Sequence, residues 1–549
     1  MSEPTGSNPE AEIPEELLGS PSQEGRKVAR ATGLMSILTV LSRLLGVLRD
    51  MGQAAVLGTG MAADAFTIAF IIPNILRRLF GESTVSAAFV PTYTDSLVNR
   101  GETTARELGR KVVTFVASAL LLLVVLGMVF APVLARIFAP GFVEVPGKIE
   151  LTTGLLRILF PYIFFVGTGA VYMGILNSHR HFLSPALAPV LFNVCAIAGL
   201  FVLGRKFFPQ VPVWGYAIGA TAGGLLQLAV QLPAARAKGF SFAPDFRWRD
   251  SRFLRVLGLA VPALIGLVAA EVNILVDQLI ASLLEPGSVA ALSYGSRIMH
   301  VPLGVFAVAL STALLPTLSR QTALGKVSEA RRSLSAATKI LAMVLIPAAL
   351  CLAMLAGPLV SVILARGAFS QRSVLLTSTA LSFYAGALLF TGGVRITVPV
   401  FYALKDTRTP VKIALACMGL NIILNVLLTW LFITTRLARP LAGLAAASSV
   451  SALVNFLLLR LSLKKRIGAG PGPGTRTYVS TALAFLITGG GLMLVRESVR
   501  SAAAGSFLVG VLVLLAVCAL SVVLFSGCFL LFAGRRALSA LEVLRRRGT

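Results

Sequence analysis

The chain is short of charge. Only 13% of its 549 residues are Asp, Glu, Lys or Arg, against 56% hydrophobic. It has three histidines and five cysteines. The cysteines, Cys195, Cys351, Cys417, Cys518 and Cys528, all lie in apolar runs and make no CxxC pair, so neither a metal nor a disulfide framework is implied. His179 and His181 share a short polar loop and read as solvated. No GxxxxGK[ST] loop is present; the one Gly-rich segment, GAGPGPGTRT, lacks the Lys and the strand–helix setting. HExxH, DxD-type and Ser/His/Asp arrangements are missing as well. ATP hydrolysis and covalent catalysis therefore drop out, and no cofactor is expected. Strand-like alternation is also lacking, which argues against a barrel. Residues 1–25 hold no apolar run, so they read as a disordered acidic tail and not as a signal peptide.

What is present is apolar sequence, with a mean hydropathy of +0.85. A bilayer span needs about 20 mostly apolar residues. About fourteen such runs recur between residue 30 and residue 533. The expected fold is an all-α polytopic membrane protein with two six-helix lobes and two further C-terminal helices. Expected boundaries are a tail over 1–27, an N-lobe over 28–239, a C-lobe over 240–468, and the last two spans with a basic tail over 469–549. The formal charge of +26 suggests nucleic acid only until it is placed. Arg26, Lys27 and Arg30, then Arg100, Arg106, Arg110 and Lys111, then Arg236 to Arg255, fall on alternate loops, as do Arg331, Arg332, Lys464, Lys465 and Arg545 to Arg547. The loops near 58–61 and 284–288 have no Lys or Arg. This is the positive-inside pattern, with both termini inside.

An internal repeat runs through the chain. FVPTYT around Pro91 echoes LLPTLS around Pro316, 225 positions later. APVLARIFAPG around Pro132 echoes GPLVSVILARG around Pro358, SPALAPV at Pro185 echoes TPVKIAL at Pro410, and the Gly215 segment echoes that at Gly443, at offsets of 226, 225 and 228. Six spans per unit, an even number, give two copies of the same orientation, with the site expected between them.

Against this background the first two spans stand out. They carry Arg43, Arg49, Asp50, Asp64, Arg77, Arg78 and Glu82. One ionisable group at a bilayer centre costs about 2.5–3.5 kcal/mol even on lenient scales. So many imply a wet cavity, a partner or an interface. Ser42, Gly46, Arg49 and Gln53 share one helical face, either a small-residue seam or a cavity wall. Arg43 and Asp50 lie on a neighbouring face and are expected to pair through water or with another helix. On the second span Asn74, Arg78 and Glu82 align, so Arg78 and Glu82 are expected to neutralise each other; Arg77, without an acidic partner at helical spacing, is the better ligand candidate. In the second repeat Ser293, Arg297 and His300 share a face, and Asp277, at i+4 from Asn273, is the expected counter-ion of Arg297. Guanidinium groups bind phosphate bidentately and stay charged when desolvated. Arg49, Arg77 and Arg297, drawn from both lobes, point to an anionic, phosphate-bearing ligand at the midplane.

The motifs SRLLGVLRD, MAADAF, PNILRRLFGE, AFVPTY, LSYGSRIMHVPLGVFAVALSTALLPTLS and VFYALKDTRTPVKI, in that order, resemble the MurJ (MviN) family of lipid II flippases, within the MOP exporter superfamily. The resemblance implies fourteen helices around a cationic cavity and alternating access. It implies movement of undecaprenyl-diphosphate-linked disaccharide-pentapeptide to the outer leaflet of the bacterial cytoplasmic membrane. The implied partners are lipid II, membrane lipids and, as candidates, cell-wall synthesis proteins, with no nucleic acid. The family's functional charges fall on Arg43, Arg49, Asp64, Arg77, Glu82 and Arg297, with Arg49, Arg77 and Arg297 as the diphosphate cluster and Asp50 and Asp64 holding those arginines between states. Where some members carry acids beside the span-eight Arg, this chain has Ser296 and His300. A drug or other polysaccharide exporter of the superfamily, and a non-transporting scaffold, are the alternative readings.

Overall fold

The structure, a computed structural model, describes residues 21–79, 88–468 and 475–533, with side chains described for these except at 21–32, 261–270 and 503–504. Residues 1–20 of the expected tail, Gly81 and Glu82, the Pro-Gly-Pro-Gly at 471–474 and Arg545 to Arg547 lie outside the described residues.

The described residues fold as helices without strands. The N-lobe starts with α1 (Pro21–Leu57), which begins inside the stretch expected to be tail, and α2 (Met61–Arg77). It continues with α3 (Val90–Arg100), α4 (Glu102–Val129), the short α5 (Ala131–Phe138) and α6 (Lys148–Ser178). α7 (Leu183–Ala198) and α8 (Gly204–Phe207) flank a π-helical turn at Gly199–Leu203, and α9 (Val213–Ala229) with α10 (Gln231–Ala237) closes the lobe. The C-lobe comprises α11 (Ser251–Ser282), α12 (Ser288–Pro302) and α13 (Val308–Ala323), the last two joined by a second π-helical turn, then α14 (Val327–Met354) and α15 (Ala356–Leu364). α16 (Gln371–Ala403), α17 (Arg408–Thr435) and α18 (Leu441–Ile467) complete it, followed by α19 (Thr475–Ala504) and α20 (Phe507–Ala533).

The repeat is visible as architecture. α4 breaks at Phe130 and α5 starts with a proline in its first turn; α14 breaks at Leu355, just before the α15 that holds Pro358. Proline lacks the N–H that would continue the preceding helix and is tolerated in a first turn. α4 and α14 therefore each end in a short further helix at the equivalent place of their lobes. Eleven helical segments of the described residues are long and apolar enough to cross a membrane. The other three expected spans, on α1, α2 and α11, are helical, and they carry the charges of the first repeat and Glu271 and Asp277 of the second.

Apolar side chains dominate the outward surface. Leu494 is 85% exposed and Leu531 78% exposed, which suits hydrocarbon and not water. α19 and α20 lie against the C-lobe through Met343, Ala484, Phe525 and Phe529. A separate cluster of Phe89, Tyr93, Val112, Phe240 and Phe253 seats the 240–250 linker under the N-lobe. There Asp250 accepts from the Arg252 N–H at 2.8 Å as the N-cap of α11 and pairs with Lys111 at 2.6 Å.

Candidate central cavity

The two lobes meet closely at one end. At the touching end, the loop after α1 meets the loops before α12 and α16. The Ala368 N–H donates to the Ala55 carbonyl at 2.8 Å, and Thr59 Oγ1 donates to Ser373 Oγ at 2.8 Å. Two glycines permit this approach. Gly367 has φ +56°, and a Cβ there would sit 2.2 Å from the Ala55 oxygen; Gly287 has φ +98°, and its Cβ would sit 2.3 Å from the Thr59 oxygen. Neither the dihedral nor the space suits a side chain.

Asp64 completes the closure. It is 1% exposed. Its carboxylate takes Lys148 Nζ at 2.8 Å, the Gly287 N–H at 2.8 Å and the Ala290 N–H at 2.9 Å. Asp64 and Lys148 belong to the N-lobe, whereas Gly287 and Ala290 open α12 of the C-lobe. An N-lobe carboxylate thus satisfies orphan donors at the N-terminus of a C-lobe helix, where the helix dipole also favours it. In this state Asp64 bonds Lys148 and the α12 terminus at the closed end and none of the cavity arginines.

From this ceiling a cavity of about 670 Å3 runs between the lobes. Arg49, Arg77, Arg78 and Arg297 line it, against the carboxylates of Asp50 and Asp277. Phe66, Phe70, Tyr162 and Phe192 make an aromatic wall, and Asn74, Asn193, Gln227, Gln231 and Gln278 add amides. Arg49 also lies 5.6 Å from the Phe192 ring centroid, a cation–π contact that orients the guanidinium.

Asp50 sits at the ceiling between two arginines from different lobes. It accepts from Arg49 at 2.8 Å and from Arg297 at 2.7 Å. Arg49 further donates to Asn193 Oδ1 at 3.2 Å, and Arg297 to Gln53 Oε1 at 3.3 Å, an oxygen that Tyr216 also bonds. The face of α1 carrying Ser42, Gly46, Arg49 and Gln53 is thus both readings at once. It is a seam against α7, where Asn193 donates to the Ser42 carbonyl, and a cavity wall at Gly46 and Arg49. Ser42 and Gln53 stand behind the wall.

Other expected residues divide as follows. Asn74, Ser293 and His300 line the cavity; Asn74 accepts from Arg77 Nε at 3.0 Å, and His300 Nδ1 lies 2.8 Å from the Ser296 carbonyl. Arg43 lies on the exposed face of α1 and is not a lining residue, so it does not pair with Asp50. Asp277 lines the cavity but bonds Asn425 at 2.6 Å; the counter-ion of Arg297 is Asp50, which α1 presents directly opposite. Arg78 pairs with Glu271 of α11 at 3.1 Å, a further bridge between lobes; Glu82, its expected partner, lies outside the described residues. Lys148, Asn193 and Glu271 were not singled out as site residues. Their partners are 84, 144 and 193 positions away, beyond the reach of helical spacing.

With Arg78 balanced by Glu271, three further guanidinium groups over the carboxylates of Asp50 and Asp277 still leave a surplus of positive charge in a space walled by aromatic rings. That arrangement accepts an anion with an apolar or sugar-like body. Among the described residues no group of His, Cys, Asp and Glu could hold a metal ion.

The family described as "Lipid II flippase MurJ" matches residues 53–517. The "Lipid II flippase MurJ" of Burkholderia cenocepacia is 34% identical over 84% of this chain and 89% of its own. The "Probable lipid II flippase MurJ" of Buchnera aphidicola subsp. Acyrthosiphon pisum is 33% identical over 79% and 83%. A solved structure, "Lipid II flippase MurJ, inward closed conformation", superposes with a TM-score of 0.73 at 26% identity, covering 90% of this chain and 98% of that one. An inward-facing MATE family transporter of the MOP superfamily shares the fold, with a TM-score of 0.63 at 17% identity over 79% of this chain and 99% of its own. With the match running through both lobes and into α20, this multi-pass membrane protein belongs to the lipid II flippase MurJ family.

Proposed function

We propose that the chain carries lipid II from the inner to the outer leaflet of the bacterial cytoplasmic membrane by alternating access, with both termini cytoplasmic. The observation that carries this reading is the convergence of Arg49, Arg77, Arg78 and Arg297 on one cavity between the lobes. The Lys and Arg distribution supports an orientation with the latched end outside, in which the cavity faces the cytoplasmic leaflet, where the substrate is loaded.

A diphosphate offers more acceptor oxygens than the single Asp50 carboxylate. Entering the cavity, it competes with Asp50 for Arg49 and Arg297 and bridges the lobes through groups that remain charged at any working pH. Arg77 and Arg78, nearer the mouth, meet the anion first. A ligand shifts a two-state equilibrium only by its differential affinity. Here the difference arises because an anion shared between Arg49 and Arg297 favours a different spacing of the lobes from that set by Asp50. For the substrate to leave on the other side, Asp64 must release α12 and the loops at Gly287 and Gly367 must separate. The aromatic wall suits the disaccharide. No bond is made or broken, so the chain acts as a transporter and not as an enzyme.

The surplus of cations separates this reading from an exporter of cationic drugs on the same fold, whose substrates call for an acidic cavity. The test is lipid II exposure on the outer leaflet of spheroplasts whose own flippase is shut off. Wild type restores exposure and Arg49→Ala does not, at matched expression. Equal restoration by both would remove Arg49 from the route; restoration by neither would favour another lipid-linked sugar or a scaffold role.

A further inference from the structure

A second polar space lies away from the central cavity, where α15 and α16 meet the end of α19. It measures about 1320 Å3. Arg366, Arg496 and Arg500 line it, with Glu497 as its carboxylate. These arginines sit at the closed end, where the loops near 58–61 and 284–288 have no Lys or Arg and where Arg372 and Arg439 are taken up by Glu285. Arg366 is fixed in place: it donates to the Ile363 and Val362 carbonyls at 3.0 and 2.8 Å and stacks 4.0 Å from the Phe507 ring centroid. Arg496 and Arg500 are one turn apart on α19 and exposed. Glu497 lies 3.8 Å from Arg500, too far to saturate a guanidinium with five donors.

The wall below these charges is also polar. Ser378, Thr379 and Ser382 of α16 line the space. Their hydroxyl protons go to the carbonyls of Leu375, Leu375 and Ala353, which leaves their oxygens to accept. Ser382 is eleven residues beyond Gln371, or about 16 Å along the helix axis at 1.5 Å per residue, roughly half the thickness of a hydrocarbon core. Each hydroxyl is satisfied through its proton and still presents an oxygen that can accept from a ligand at that depth. Leu375 and Val362 complete the lining with an apolar side.

We infer that this crevice between the C-lobe and α19 is a binding site for the phosphate headgroup of a lipid in the outer leaflet. The arginines take the phosphate oxygens, the serine and threonine oxygens accept from headgroup hydroxyls, and the apolar side takes the first carbons of the chain. This rests on the chain's orientation in the membrane as proposed above, but not on transport through the central cavity. Two lipids have the required chemistry: an anionic glycerophospholipid and the polyprenyl diphosphate carried by the protein itself.

The full-length protein in phosphatidylcholine nanodiscs, studied by native mass spectrometry, separates them. One arm adds phosphatidylglycerol; the other adds undecaprenyl diphosphate in an Arg49→Ala background, so that the central cavity does not dominate the count. The combined Arg496→Gln and Arg500→Gln variant lowers apparent affinity about tenfold, as expected for losing two charge-assisted contacts. Glu497→Gln raises it about twofold by removing a competing partial ion pair, a direction that misfolding does not mimic. Loss in the phosphatidylglycerol arm alone identifies a resident phospholipid; loss in the diphosphate arm alone identifies an exit station for the cargo; loss in both identifies a general phosphate site. Unchanged affinity in both arms, or phosphatidylcholine retained as strongly as phosphatidylglycerol, overturns the inference. A failure of the central-cavity reading would show separately, as Arg49→Ala with undiminished flipping.

Discussion

Asp50 and Asp64 lie on consecutive helices, both between the lobes, and they do opposite things. Asp64 is dry and its valences are filled: one ammonium and two backbone N–H groups around a carboxylate 1% exposed. Asp50 has a side chain 25% exposed and is shared by two arginines that are themselves 20% and 33% exposed. The first is charge-balanced and closes a structure. The second is short of negative charge and open to a cavity, which is the condition for exchanging an internal carboxylate for an external anion. Residue type alone does not separate a latch from a binding site; local charge balance and access do.

The largest effect falls on the latch. Asp64→Asn leaves Lys148 buried without its anion, and breaking a buried pair from one side costs about 3–5 kcal/mol. Thermal unfolding in detergent is expected to show a large fall in Tm. Adding Lys148→Met recovers much of it, because the apolar side chain removes the stranded charge. An unchanged Tm for Asp64→Asn would show that the carboxylate is not balancing Lys148.

The next effect falls on the cavity and sharpens the contrast. Arg297→Ala keeps most of the stability, since its side chain is partly hydrated, but costs about 10- to 100-fold in flipping, the range for charged hydrogen bonds. Stability and transport therefore separate in opposite ways at the two aspartates' sites. A variant losing both equally would erase the distinction.

A smaller, conformational effect is expected at Gly367→Ala, which places a methyl against the Ala55 carbonyl. Spin labels across the closed end should report a wider distance and a larger open fraction than in wild type. An unaltered distance distribution would mean that the loops relax around the methyl.

The smallest effect lies outside the membrane. Hydrogen bonds from the Arg252 side chain, together with Lys111, hold the Asp250 carboxyl well below the usual carboxylate range. The unfolded chain, with a carboxyl near the ordinary value of about 3.9, binds the proton more readily. The Asp250 charge thus adds stability that is fully present above about pH 4 and is lost as pH falls through the lower folded value. Asp250→Asn keeps a capping oxygen but loses the charge. Its stability deficit is expected to be constant from pH 7 to about 5 and to shrink below about 4; a deficit that grows on acidification would refute the assignment.

Much of this was legible from sequence because membrane helices announce themselves. Apolar runs marked the spans, proline pairs at a constant offset marked the repeat, and charges inside the first two spans marked the cavity. Partner choice was not legible. Spacing proposed Asp277 with Arg297, yet Arg297 takes Asp50, and it gave no hint that Arg78 meets Glu271 of the other lobe. Helical spacing says which residues share a face, whereas the lobe interface decides what faces them. Asp64 shows the limit best: nothing near it in the chain predicts that it caps a helix beginning 224 residues later.

The most direct measurement is lipid II translocation in proteoliposomes containing purified protein, comparing wild type with Arg49→Ala and Arg297→Ala. The account predicts flipping by wild type and loss in both variants with most of the stability kept, because the two arginines hold one anion between the lobes. Wild-type rates in either variant would contradict it.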